Sequence, residues 1–114
     1  MANAVNSNQE EYGVMFVAIH HNITDPKGWE ETTSQIGPMV EQGKLPKGLK
    51  AISYLPSTDG RRADCLWETD SVDNLKRFLE PLTSKAAKNE YFQINADQAF
   101  GLPGQATEHA VAHR

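Results

Sequence analysis

The chain carries a single cysteine, Cys65. One thiol cannot close an intrachain disulfide, so a disulfide-stapled secreted scaffold is excluded, as is any Cys-x-x-Cys metal site. No apolar run approaches the ~18–20 residues that a membrane span requires. The opening residues, Met-Ala-Asn-Ala-Val-Asn-Ser-Asn-Gln-Glu-Glu, are polar and acidic. They lack the apolar stretch of a signal peptide, and a cytoplasmic location is the expectation. Positive charge is also scarce, with 11 Lys and Arg against 15 Asp and Glu and a net charge of -4. Without a basic stripe the surface has little hold on phosphate, so neither nucleic acid nor a membrane is an expected partner. There is no His-Glu-x-x-His, and Gly101-Leu-Pro-Gly lacks the lysine and following helix of a phosphate loop.

What remains is an ordinary globular composition. At 114 residues, 39% of them hydrophobic, the chain is sized for one domain. Residues 1–11 read as a flexible lead-in, 12–103 as the domain and 104–114 as a flexible tail containing His109 and His113. Four strand signals lie between the ends: Val14 to His21, Leu49 to Leu55, Ala63 to Thr69 and Tyr91 to Ala96. Asp59-Gly60 marks a tight turn, making the second and third strands a hairpin. A first helix opens at Asp25-Pro26, carries Trp29, Thr33, Ile36 and Val40 on one face, and ends at Gly43. A second opens at Asp70-Ser71 with the stripe Val72, Leu75, Phe78, Leu79 and Leu82. Pro38 and Pro81 predict a kink or break in each.

This order, β-α-β-β-α-β, is the α+β ferredoxin-like pattern. Right-handed crossovers predict the antiparallel strand order 4-1-3-2 with both helices on one face. Alternation predicts Met15, Val17, Ile19, Ala63, Cys65, Trp67, Phe92 and Ile94 on the helix side. The opposite face then carries Phe16, Ala18, His20, Ala51, Ser53, Asp64, Leu66, Glu68, Tyr91, Gln93 and Asn95. That mixture is too apolar for water, and the expected cover is a second copy, giving a homodimer whose two sheets enclose a shared lumen.

Two segments carry a family likeness: Arg62 to Ser71, with its Cys-Leu-Trp-Glu core, and Asn89 to Ile94. From about Val14 to Pro103 the chain resembles the dimeric α/β-barrel superfamily, and within it short bacterial proteins. It resembles more distantly a small nickel-binding ferredoxin-like family with histidines near the end of the first strand, where His20-His21 stand here. The resemblance implies a dimeric α/β barrel. It also opens the superfamily's range of cofactor-free monooxygenases, isomerases, polyketide cyclases and haem-binding members, among which fold does not choose.

The candidate residues follow from strand ends that the topology brings together. His20 should meet Asp64 and Tyr91, an arrangement suited to a general base, its orienting carboxylate and a hydrogen-bond donor. His20, His21 and Asp64 are the candidate ligands of a divalent transition metal, nickel or zinc, although adjacent strand residues point to opposite faces. Tyr54, Trp67, Glu68 and Gln93 join His20 and His21 as candidate ligand-binding residues. Cys65 reads as a small buried hydrophobe rather than a nucleophile, and Arg61-Arg62 as a solvated turn. The first functional expectation is a small-ligand-binding dimer, with a metal as one form of the ligand. The alternative is a cofactor-independent isomerase, cyclase or monooxygenase-like enzyme with His20 as base, acting on a small aromatic or polyketide-like compound.

Overall fold

The computed structural model describes residues 14–105. The expected lead-in over 1–11, most of the expected tail, and His109 and His113 lie outside them. The elements are β1 (Met15–Ile23), α1 (Pro26–Glu41), β2 (Leu49–Pro56), β3 (Arg62–Thr69), α2 (Val72–Thr83) and β4 (Ala87–Gln93). The four strands form one antiparallel sheet in the order β2-β3-β1-β4, as the topology rules predicted.

Local chemistry sets the boundaries. Asp25 accepts the backbone N–H of Gly28 at the start of α1, with Pro26 at the first helical position. Gly43, at φ 68°, takes the left-handed conformation that ends α1, and the N–H of Lys44 reaches back to the Met39 carbonyl. Ser71 caps α2 by accepting the N–H of Asn74. Both helices run on through their internal prolines, Pro38 and Pro81. The β2–β3 turn closes on Asp59, which accepts from the Ser57 hydroxyl and the Arg61 N–H, while Gly60 supplies φ 74°.

The helices cover one face of the sheet. Val17, Ile19, Trp67, Leu75 and Leu79 form the buried centre, and Ile23, Trp29, Ala63, Ala86 and Ala87 form a second cluster toward the end of β1. No helix of the described residues is long and apolar enough to cross a membrane.

Three expectations need correction. The sheet is open, with β2 and β4 as its two edges, and it does not close into a barrel. The dimeric α/β-barrel architecture expected from the resemblance is therefore replaced by an open ferredoxin-like sheet. Second, β4 spans Ala87–Gln93 rather than Tyr91 to Ala96, and its faces are exchanged. Tyr91 pairs with Ile19 and Gln93 with Val17 on the helix side, whereas Phe92 pairs with Ala18 and is 56% exposed. The helix-side positions of β4 are Ala87, Asn89, Tyr91 and Gln93, a row too polar to betray its burial by hydropathy. Third, β2 carries an irregularity between Ala51 and Ser53. Ala51 pairs with Trp67, placing it on the helix side, and one extra residue then brings Tyr54, not Ser53, opposite Cys65. Lys50, the neighbour of Ala51, stands opposite Glu68 on the uncovered face.

The exchanged faces of β4 have a stability signature. Leu75, fully buried, should lose about 3 kcal/mol on substitution by alanine, within the usual range for core leucines. Phe92→Ala should cost less than about 1 kcal/mol in the same urea unfolding series. A Phe92 cost equal to that of Leu75 would restore the original assignment of faces.

Candidate functional site

The end of β1 sends its two histidines to opposite sides of the sheet. His20 lies on the uncovered face, with Nδ1 2.6 Å from Asp64 Oδ1. Its side chain is 33% exposed and that of Asp64 65% exposed, so the pair sits at the surface. The expected contact between His20 and Asp64 is present, but Tyr91 is not with them. It lies behind the sheet, where its hydroxyl donates to Glu80 Oε2 at 2.6 Å. The three residues expected to act together are thus divided between two faces.

His21 points inward and is 2% exposed. Its Nδ1 lies 2.6 Å from Asn89 Oδ1, and its Nε2 lies 3.1 Å from Cys65 Sγ. The surrounding network fixes the tautomer. Asn89 Nδ2 donates to Glu80 Oε2 and to Thr83 Oγ1, each at 2.8 Å, so the amide oxygen is the atom facing the imidazole. Thr83 in turn donates to the Leu79 carbonyl. An amide oxygen only accepts, so His21 carries its proton on Nδ1 and keeps a lone pair on Nε2. The Cys65 S–H then donates to that lone pair.

Burial sets the charge states. Desolvation lowers the His21 pKa below its ordinary 6.5 and outweighs the opposing hydrogen bond to Asn89. Among the charged neighbours, His20 pushes it down further, while Asp64 and Glu80 pull it up. The imidazole is neutral at pH 7. Burial likewise pushes the Cys65 thiol up to about 12, so the resting pair is thiol and imidazole, not thiolate and imidazolium. Tyr91 is raised by desolvation and then by Glu80, and stays protonated.

This inward pair faces a cavity of about 390 Å³ between the sheet and α1. Trp29, Ile36 and Val40 of α1 form one wall, and Tyr54, Cys65 and Trp67 of the sheet form the other. The Trp29 indole packs on the His21 ring at 4.7 Å between centroids, tilted by 50°. Its N–H donates to the Tyr54 hydroxyl oxygen at 2.9 Å. Tyr54 is thus held in place as an acceptor with its own O–H proton still to give.

The sequence-predicted residues therefore divide. His21, Tyr54 and Trp67 line the cavity. His20, Asp64 and Glu68 stand on the uncovered face, as the β1–β3 register requires. Gln93 stands on the helix side, opposite Val17. For the expected metal, His20 and Asp64 meet on one face while both ring nitrogens of His21 are engaged on the other. Among the described residues no group of three or more His, Cys, Asp or Glu is placed to hold a metal ion. The residues that sequence reasoning missed are Asn89, Glu80 and Thr83. Their only sequence signal is the alternation Asn89-x-Tyr91, which places two polar groups on one strand face.

No family model matches the chain, and no curated protein matches it. Among solved structures it is similar to a Nitrosomonas europaea protein described as a candidate antibiotic biosynthesis monooxygenase. The match has a TM-score of 0.50 and 14% identity, covering 79% of this chain and 92% of the other. At that identity the likeness is one of fold, a ferredoxin-like α+β domain. It also corrects the expected resemblance: the similar structure is described as a monooxygenase and not as a nickel-binding protein, and the sheet described above is not closed into a barrel.

The buried neutral imidazole should make stability depend on pH. In the unfolded chain His21 takes up a proton near its ordinary 6.5, but in the native state only at a lower pH. Between those values the unfolded state binds more protons, so stability rises with pH. Urea unfolding should therefore show stability falling as pH drops below about 6.5 and levelling once native His21 protonates. His21→Gln should flatten that part of the profile, and an unchanged slope in the variant would assign it to other groups.

Proposed function

We propose that the protein is a cofactor-independent enzyme acting on a small aromatic or polyketide-like compound held between the sheet and α1. The observation that carries this reading is a neutral, tautomer-locked imidazole opening onto an apolar cavity of about 390 Å³. That volume is within the ordinary range for small-molecule sites, which combine apolar walls with a few placed polar groups. The fold likeness to a candidate antibiotic biosynthesis monooxygenase supports the same class of reading.

In this proposal the base is His21 rather than His20, because His21 alone of the two lines the cavity. A substrate phenol or an acidic C–H next to a carbonyl approaches Nε2 and displaces the thiol of Cys65, a weak donor. Nε2 takes the proton, and Asn89 Oδ1 steadies the imidazolium that forms. The negative charge gathers on the substrate oxygen, where the Tyr54 O–H donates to it. Trp29 and Trp67 present flat apolar surfaces to an aromatic ring. From the anion, return of the proton to another atom is an isomerisation, and attack on an internal carbonyl is a cyclisation. In the oxygenase version a substrate methylene and dioxygen yield a carbonyl and water.

Both tryptophans line the cavity, so the protein reports its own occupancy. Titration with planar phenols and aromatic 1,3-diketones should quench tryptophan fluorescence saturably. For a compound that turns over, His21→Gln should lower kcat by about 10²–10⁴-fold, the usual worth of a general base. His20→Gln, on the opposite face, should change it little. Absence of saturable quenching across such a panel, or equal turnover in His21→Gln, would overturn the assignment.

A further inference from the structure

The proton-transfer scheme above leaves a second reactive group in the same cavity unexplained. Cys65 Sγ lies 3.1 Å from His21 Nε2, and His21 Nδ1 lies 2.6 Å from Asn89 Oδ1. A nucleophile, a base within hydrogen-bond reach and a third group orienting that base are the parts of an activated nucleophile, and thiol, imidazole and amide are one known set. Tyr54 supplies a fourth part. It stands directly opposite Cys65 in the β2–β3 register, and the Trp29 N–H holds its oxygen. Cross-strand partners have Cβ atoms about 5 Å apart, so one carbonyl compound can reach both side chains. Thiol, imidazole and phenol all line the same apolar cavity.

We infer that Cys65 is a nucleophile that adds reversibly to the carbon–carbon double bond of an apolar α,β-unsaturated ketone, with His21 as its base and Tyr54 as the donor to the ketone oxygen. The inference rests on the reading of this cavity as a substrate site, and it adds a covalent step and a substrate class. Sulfur bonds to the β-carbon as its proton passes to Nε2. The double-bond pair shifts toward the carbonyl, whose oxygen takes the Tyr54 hydrogen bond. The imidazolium then delivers its proton to the α-carbon. Every electron and proton stays within thiol, imidazole and ketone, so no outside oxidant or reductant enters. In the reverse direction the α-proton leaves first and the sulfur–carbon bond breaks. Rotation of the adduct before that reversal makes the cycle a cis–trans isomerisation.

Burial keeps the thiol protonated at neutral pH, so the base must act as the sulfur–carbon bond forms. That requirement separates base-assisted addition from ordinary thiolate reactivity. The test reacts the intact protein with 4-phenyl-3-buten-2-one and follows the adduct by mass spectrometry between about pH 6 and pH 9. As the chain has one cysteine, adduct mass on a single peptide identifies the site. The base-assisted step predicts a rate nearly flat above about pH 7, because the imidazole is already neutral there. His21→Gln should slow it by about 100-fold or more. Should that variant fail to fold by circular dichroism, Asn89→Ala, which keeps sulfur and imidazole but frees the tautomer, should also slow addition with the flat profile lost. A rate climbing about tenfold per pH unit throughout, the signature of unassisted thiolate, would overturn the inference, and so would no adduct. If the ketone quenches tryptophan fluorescence without forming an adduct, the covalent step fails and the substrate site stands. If it neither quenches nor reacts, the covalent step fails, and the substrate site fails with it only when the phenols and diketones are silent too.

Discussion

The hydrogen bond between His21 and Asn89 is the constraint from which the chemistry of this domain follows. It joins the central strand β1 to the edge strand β4, and Asn89 is held from behind by Glu80 and Thr83 of α2. A free imidazole exchanges tautomers and turns about its side-chain bonds. Here the amide oxygen selects the Nδ1 proton and aims the remaining lone pair at the cavity wall. The price is desolvation of a basic group, visible as a lowered proton affinity. The same burial that weakens the histidine as a cation keeps it available as a base at neutral pH.

Two histidines adjacent in sequence consequently have unlike chemistry. Strand alternation alone sends them to opposite faces. His20 meets a surface carboxylate and remains accessible to water, where an ion pair contributes little. His21 meets an amide, a thiol and an indole in a water-poor interior. The dipeptide could hold one metal ion only if both side chains lay on one side of the strand. Once the strand is drawn, each belongs to a separate environment.

Much of the fold was legible because it depends on strong local signals. The Asp25-Pro26 start, the Ser71 cap and the Asp59-Gly60 turn each have a stereochemical cause that acts over a few residues. The strand order followed from crossover handedness. The site was less legible because its decisive contacts are polar and distant along the chain. Asn89 lies in Ala-Lys-Asn-Glu, a stretch with no apolar rhythm, so hydropathy starts β4 too late and reverses its faces. Phe92 and Ile94 invited burial by hydropathy, yet Phe92 is exposed, while Tyr91 turns inward because Glu80 awaits its hydroxyl. Alternation puts Cys65 on the helix side, where it lies, but nothing local to it points to a histidine 44 positions away.

The irregularity in β2 has a consequence for how such a domain can change its chemistry. With regular pairing after Ala51, Ser53 would face Cys65, and Tyr54 would share the uncovered face with Asp64. The one supernumerary residue exchanges the faces of everything that follows it, moving the Tyr54 phenol, still 45% exposed, from the uncovered face to the rim of the cavity without altering a single side chain. Loss of that one residue would therefore remove the Tyr54 hydroxyl from the cavity while Leu49 and Ala51, before the irregularity, kept their places against the hydrophobic centre.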